Sequence, residues 1–461
     1  MKKILAIMLA VVFVVMTFAS CTKDFENEGQ NGSDTANGSD VIIESEDKND
    51  ATEDETKNDS TDGKVEDTDN NTETEKPTFD VKESTSGLKY VLNEDKLSYT
   101  VVGKGSATAK NIVIDGHNGL PVTRVGYSAF GNDSTITSLK LGDYVERIDD
   151  YGFSFCSGLT SVTFGENVKY LGDYSFRYCS ALTSIELGKN VEVIKYGSFY
   201  NCSKLATIRV FGKVRVIEEF AFDKTAYFKD SSRWKNNVLY IGNNLIKAKS
   251  GISGAYTVSA NTTCIGGLAF KDCTALTSIT IPDTVHSIGL QAFEGATKLK
   301  TINIGSGVTY IGEKAFYNSG FYNTSANWNN NVLYVGSYLV SAKTGLSGAY
   351  TVSTGTKVIA DMAFSSCANI TGITIPNSVV YVGEYAFRGC AKLASVKLGS
   401  GVKEVGVLAF KDCAALKSIT FGSISGWKAD KVSISSDVLS NNSSAAMYLA
   451  ILHSDKVWKR A

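Results

Sequence analysis

The chain writes one sentence many times. LTSVTFGENVKYLGDYSFRYCSA (159–181) is followed at once by LTSIELGKNVEVIKYGSFYNCSK (182–204), a step of 23 residues. Counted from Val145, apolar residues fall at Val145, Ile148, Phe153, Cys156, Leu159, Val162 and Phe164. Counted from Val168, they fall at Val168, Leu171, Phe176, Cys179, Leu182, Ile185 and Leu187. The template restarts at Val122, Val191, Val214, Thr262, Val285, Val308, Thr356, Val379 and Val402, which makes 11 units. No unit this short buries its own apolar set, so the units must stack.

One position never varies. Phe130, Phe153, Phe176, Phe199, Phe222, Phe270, Phe293, Phe316, Phe364, Phe387 and Phe410 each stand eight residues into their unit. Stacking aligns them into a structural spine, each ring contributing roughly 1.5–3 kcal/mol by burial. The end of each unit alternates with period two, as Val162 and Phe164 do against Ser161, Thr163 and Gly165, and so reads as a strand. One short strand per unit, registered unit on unit, predicts a parallel sheet along a curved solenoid.

Two units, from Val214 and Val308, run 48 residues. Their additions are copies of one another at an offset of 94 residues, so a three-unit block is itself duplicated. The runs NVLYIGNNLIKA and NVLYVGSYLVSA read as β-hairpins, the first turning near Gly242–Asn243–Asn244. The expectation is that these insertions, near 226–254 and 320–348, enlarge the side away from the sheet and leave the sheet unbroken. AYTV, at 255–258 and 349–352, supplies the strand of each long unit. Tyr227, Phe228, Trp234 and Tyr240, with Phe321, Tyr322, Trp328 and Tyr334, are expected mainly to pack the hairpins down.

The unit V-x-x-I-G-x-x-A-F-x-x-C-x-x-L-x-S-I-x-I resembles that of BspA-like bacterial surface proteins, the Treponema pallidum type of leucine-rich repeat. The resemblance covers about residues 87–461, including GLKYVLNEDKLSYTV, the hairpins and the closing KVWKR. It implies an α/β solenoid, a right-handed leucine-rich repeat superhelix of 23-residue units with a parallel sheet of short strands and two hairpin insertions. It also implies adhesion to host matrix proteins or to other cells.

The chain before the repeats has a different composition. MKKILAIMLAVVFVVMTFASC carries two lysines, an apolar run and small residues before Cys21, the pattern of a signal peptide over 1–20. Phe18–Ala19–Ser20–Cys21 resembles a bacterial lipobox, which would make Cys21 a lipid anchor and tie the protein to a membrane without spanning it; the alternative is ordinary secretion with a cut near Ala19. Residues 22–85 hold 21 acidic and 6 basic residues, two Phe and no Leu, Tyr or Trp. That composition cannot bury enough apolar surface to order itself, so 21–85 reads as a disordered linker. Residues 86–461 carry a net +11. They divide into an N-terminal hairpin and cap (86–121), with GKGSA at 103–107 as the hairpin turn, the solenoid (122–422) and a C-terminal cap (423–461). In that cap Ser443–Leu452 reads as a short helix, and Trp427 and Trp458 as seals over the last apolar layer.

Little in the chain suggests catalysis. Its three histidines, His117, His286 and His453, lie in no metal-binding spacing, and neither a P-loop nor a G-x-S-x-G elbow occurs. Seven cysteines (156, 179, 202, 273, 367, 390, 413) share the position eleven residues into their units. With no C-x-x-C pair they read as small buried residues, although neighbours such as Cys156 and Cys179 could come near enough to bridge. No enzyme, metal or cofactor is expected. The basic residues are scattered, which argues against nucleic acid.

Function is therefore expected on the outward strand face, with Lys140, Thr163, Glu186, Arg209, Thr280, Asn303, Thr374 and Lys397 as candidate ligand contacts. About twelve strands at ~4.8 Å would extend roughly 55 Å. Such a flat polar surface suits an extracellular protein, a cell-surface ligand or a glycan, although this face lacks the aromatic platform of a sugar site. The expectation is a monomeric, lipid-anchored, surface-exposed binding protein; the alternatives are an accessory carbohydrate-binding lipoprotein and a structural envelope protein.

Overall fold

The computed structural model describes residues 77–460; Cys21, the signal peptide and most of the acidic linker lie outside them. Each unit makes two strands, not the single one its alternation announces. In the unit from Val168, a short strand Tyr170–Leu171 precedes the turn that carries Phe176 and Cys179, and a longer strand Ser184–Leu187 closes the unit. Short strands pair in parallel from unit to unit, Arg147 with Tyr170 and Tyr170 with Val193. Long strands do the same, Ser184 with Thr207 and Glu186 with Arg209. The core fills the space between the two sheets. Ile185 and Leu187 are buried while Ser184 and Glu186 are exposed, because successive residues of a strand point to opposite faces. The short strands escape a periodicity search because two residues are too few to alternate. Among the described residues helix is confined to short segments in the insertions and the C-terminal cap, and none of these is long and apolar enough to cross a membrane.

All eleven phenylalanines of the repeat are buried. Their rings form three offset stacks. The first runs from Phe130 to Phe222, with neighbouring centroids 5.0 Å apart at Phe130–Phe153 and 5.6 Å at Phe199–Phe222. The second joins Phe270, Phe293 and Phe316, and the third Phe364, Phe387 and Phe410. Each hairpin breaks the spine. At each break a tyrosine of the inserted segment meets the next phenylalanine, Tyr256 against Phe270 and Tyr350 against Phe364.

The cysteine ladder is reduced. All eight described cysteines are free and buried. The Cys179 thiol donates to the carbonyl of Phe153 and the Cys202 thiol to that of Phe176. The position thus selects a small side chain that fits the buried space between units, as the fully buried Ala296 does at the same place.

The turn after each short strand holds two residues in the left-handed region, four apart; the first of them, from Ser128 and Tyr151 through Gly197 to Leu408, has φ between 50° and 61°. For a residue with a Cβ that conformation costs roughly 1–2 kcal/mol. It persists because the turn's N–H groups bond to the next unit, as Tyr151 N does to Asp173 O.

The hairpins depart from the sequence expectation. In the first, Val238–Ile241 pairs antiparallel with Asn244–Ala248 around Gly242, and the returning strand then joins the short-strand sheet, Asn244 beside Cys264. The second repeats this, with Tyr338 beside Val358. The long-strand sheet is therefore broken at each insertion. Thr207–Val210 ends one sheet and Ser253–Thr257 begins another, and the same happens between Thr301–Ile304 and Ser347–Thr351. The reason is steric: the turn at Gly242 lies over the edge that the next strand would have used, so that a Cβ there would stand 3.3 Å from the Val210 carbonyl. The hairpin aromatics are tied down, Tyr227 Oη to the Tyr240 carbonyl and Trp234 Nε1 to the Phe228 carbonyl.

At the N-terminus, Lys89–Leu92 pairs with Tyr99–Gly103. Its turn is at Asn93–Lys96, where Lys96 N bonds to the Asn93 carbonyl, and not at Gly103–Ala107, whose Ser106 N bonds back to Gly87. Asp95 draws the turn together by accepting from the N–H groups of Leu97 and Ser98. At the other end Trp427 and Trp458 are buried over the last unit. Trp458–Arg460 adds an antiparallel strand to Glu404–Val405, and helices Ser436–Ser440 and Asn442–Met447, continued by a wider turn over Tyr448–Leu452, cover the core.

Candidate functional site

The outward residues of the long strands pair across neighbouring rungs: Lys140 with Thr163, Glu186 with Arg209, Thr280 with Asn303, and Thr374 with Lys397. Seven of the eight are exposed and Thr374 is half-buried. Arg209 Nη1 lies 2.6 Å from Glu186 Oε1, and Asn303 Nδ2 lies 3.4 Å from Thr280 Oγ1. Each pair belongs to a different sheet. The face is four short polar platforms, not one continuous strip. A cleft of about 540 Å³ brings Thr374 and Lys397 together beside Pro376 and Asn377.

One break in this face has no hairpin to cause it. Strand Ser161–Thr163 ends one sheet and Ser184–Leu187 begins the next, although their units are consecutive. The bond from Thr160 N to Thr137 O, and that from Ala206 N to Thr183 O, have no counterpart between Thr183 and Thr160. The glycines report the same opening. At Gly165, Gly305, Gly399 and Gly422 an added Cβ would collide with the backbone of the preceding unit, whereas at the equivalent Gly188 nothing lies within 4 Å. Val162 is half-exposed here, while its equivalents Leu139 and Ile185 are buried.

The gap is a cleft of about 590 Å³ lined by Ser161, Thr163, Phe164, Glu186, Lys189 and Phe211 among others. Phe164 stands edge-on to Phe176 at 5.8 Å and is larger than Leu141 and Leu187, which hold its position in the flanking units. Phe211 is 64 % exposed at the rim, and Lys189 reaches toward Glu166 across the mouth at 3.8 Å. The cleft thus combines unpaired strand edges, which must find hydrogen-bond partners, with an apolar floor and charges of both signs. Sequence reasoning found Thr163 and Glu186 but not Phe164, Lys189, Phe211 or the gap. The available signal was the Phe at a position that is Leu on either side.

Among the described residues no cluster of three or more His, Cys, Asp or Glu is placed to hold a metal. His117 stacks on Tyr90 at 4.0 Å, and His453 packs near Tyr448 and Trp458. Burial pushes the Cys156 thiol up to about 12, the reverse of an activated nucleophile. Asp361 is a buried carboxyl that sequence reasoning did not single out. Loss of hydration pushes it up to about 7, while Tyr310, Tyr381 and the Glu384 N–H donate to it at 2.7, 3.0 and 2.8 Å. It fastens the unit from Val308 to those from Thr356 and Val379.

The sequence matches the BspA type leucine rich repeat region over residues 123–253, 263–358 and 357–445. The chain belongs to the BspA-type leucine-rich repeat family. Similar solved structures include a leucine rich repeat protein of T. pallidum, 17 % identical over 52 % of this chain and 89 % of that one, with a TM-score of 0.28. A leucine rich cell surface protein of Faecalibacterium prausnitzii is 23 % identical over 73 % and 94 %, with a TM-score of 0.26. The pneumococcal vaccine antigen PcpA is 17 % identical over 77 % and 89 %, with a TM-score of 0.26. The comparison with curated proteins returned no match, and no catalytic family is among the matches.

Proposed function

We propose that this repeat protein is displayed on the cell surface, held by a lipid on Cys21, and binds an extended segment of an extracellular or cell-surface protein in the cleft between Ser161–Thr163 and Ser184–Leu187. The observation that carries the reading is the unformed ladder between two consecutive parallel strands. An extended peptide laid across this opening can bond to the main-chain groups that the missing ladder leaves free, and side-chain contacts supply specificity. Phe211 offers an exposed aromatic anchor, and Glu186 and Lys189 offer charge of both signs.

The test is binding of the whole chain to immobilised fibronectin and fibrinogen, beside protease treatment of intact cells. The expected result is saturable binding that falls about tenfold in Phe164→Leu, which removes the ring from the cleft floor, and in Phe211→Ser, which removes the exposed ring at its rim. Binding equal to the wild type in both variants would remove the cleft from the reading. Survival of the repeat domain on intact cells, with digestion only after lysis, would remove the surface address.

A further inference from the structure

The duplicated block gives two copies of one place in the fold, and the second copy has lost its occupant. The copies agree in detail. Trp234 Nε1 donates to the Phe228 carbonyl and Trp328 Nε1 to that of Tyr322, at 2.9 and 2.7 Å. The Lys249 and Lys343 ammonium groups stand 5.1 and 4.6 Å from the ring centroids of those tryptophans. In the first copy Lys247, on the returning strand of the hairpin, donates from Nζ to the Leu268 carbonyl at 2.8 Å. Ile246, Ala248 and Leu268 are buried around it, and Asp223 and Glu219 lie within reach of its charge. In the second copy, 94 residues on, Lys247 becomes Ser341.

Ser341 is too short to reach the Met362 carbonyl, the counterpart of that of Leu268, which accepts from the Ser365 N–H. The neighbours have not closed over the loss. Val340, Ala342 and Met362 are half-buried where Ile246, Ala248 and Leu268 are buried, and a cavity of about 240 Å³ stays open between Glu313, Tyr322, Ser341 and Met362. Protein interiors hold few voids larger than a water molecule. The other exchanges keep a place for a cation. Glu313 stands for Glu219, and Asp361 replaces Gly267, so two acidic residues stand in the wall although Asp223 becomes Tyr317. Lys271, whose charge opposes that of Lys247, becomes Ser365. Lys314 pairs with Glu313 at 2.9 Å with half its side chain exposed, and it leaves the cavity unfilled.

We propose that this cavity binds a primary ammonium group on a short alkyl stem, offered by a free amine or by the lysine side chain of a peptide, in the place that Lys247 fills in the first copy. The ammonium donates to the Met362 carbonyl and faces the Glu313 carboxylate, and the stem lies against Val340, Ala342 and Met362. An ammonium that leaves water needs such partners, and the first copy shows the equivalent carbonyl serving one. The site lies at the base of the second hairpin, apart from the strand-face cleft, and the inference does not depend on that reading.

Ligand-detected NMR titration of the full chain tests it, with n-butylammonium, which matches the four-carbon stem of lysine, beside Nα-acetyl-lysine methylamide, butanol and butyrate. Butylammonium is expected to bind at a single site, and butanol and butyrate about tenfold more weakly or not at all. Binding of the lysine amide as well would support a peptide as the source, and its exclusion a free amine. Ser341→Lys, which restores the occupant of the first copy, should abolish binding without lowering the melting temperature. Glu313→Gln should weaken binding about tenfold, a readout that stands even if the Ser341→Lys chain does not fold. Absence of binding of both amines by the unaltered chain would overturn the proposal. So would butanol or butyrate binding as tightly as butylammonium, or undiminished binding in Glu313→Gln or in a folded Ser341→Lys chain.

Discussion

The Arg215 guanidinium lies 2.7 Å from the Glu404 carboxylate, joining the short strand of the unit from Val214 to that of the last unit. The same guanidinium stands 5.2 Å from the Tyr310 ring centroid and 5.3 Å from that of Tyr381. Farther out, Lys431 of the C-terminal cap meets Glu146 at 3.1 Å. The short-strand face therefore curves in on itself, and charged side chains join the last unit and the C-terminal cap to the units from Val214 and Val145.

Removing one partner of that contact should destabilise the chain. Arg215→Leu leaves Glu404 with only Lys459, at 3.8 Å, and should cost about 2–3 kcal/mol, less than a fully buried pair because the side chains keep some contact with water. Arg215→Met with Glu404→Leu should recover most of the loss. Urea unfolding of the single and double variants checks both, and equal losses in the two would mean that the charge pairing is not the cause.

Stability should fall as the pH rises toward neutrality. Asp361, with a folded value near 7, is held above the ordinary carboxyl range mainly by burial and secondly by Glu384. Its neutral form is the one the fold favours. The contribution is thus complete below about pH 4 and is lost as the pH passes through 7, a change of about 2–4 kcal/mol. Asp361→Asn, which keeps an acceptor for Tyr381 and Glu384, should flatten that part of the profile. Melting temperatures at pH 5 and pH 8 measure it; an unaltered slope in the variant would assign the effect elsewhere.

Truncation should cost far more at a buried ring than at an exposed one. Phe293 lies between Phe270 and Phe316 at 5.1 and 5.3 Å, so Phe293→Ala should cost about 3–5 kcal/mol. Tyr127 is 70 % exposed, its ring centroid 5.6 Å from that of Tyr151, so Tyr127→Ala should stay within about 0.5 kcal/mol. Chemical denaturation distinguishes them, and a large loss at Tyr127 would make the exposed ring part of the fold.

The cysteine ladder should be invisible to thiol reagents until the chain unfolds. The eight described cysteines are free and buried, and burial keeps the Cys156 and Cys264 thiols protonated. Titration with a disulfide reagent should give no reaction of these cysteines in the native chain and complete reaction in denaturant. Rapid reaction of the native chain would show that the rungs separate readily.

The sequence by itself determined the unit, its 23-residue step, the inward faces, the Phe and Cys positions, the hairpins and the sealing tryptophans. Each follows from side-chain pattern within one unit or from identity between units, and both are local. What passes between units was decided only in three dimensions. The short strands are two residues long and exist because Tyr170 finds Arg147 on one side and Val193 on the other. The sheet breaks at Gly242 because a turn covers the edge of the preceding strand. The cleft at Gly188 is a missing ladder beside Phe164, and ladder formation depends on how two rungs settle against each other. The exchange of Lys247 for Ser341 between the two copies of the block was present in the sequence, but it becomes a cavity only because the packed neighbours leave the space unfilled. Arg215 and Glu404 meet because the whole solenoid bends, and that bend is the sum of packing at every rung.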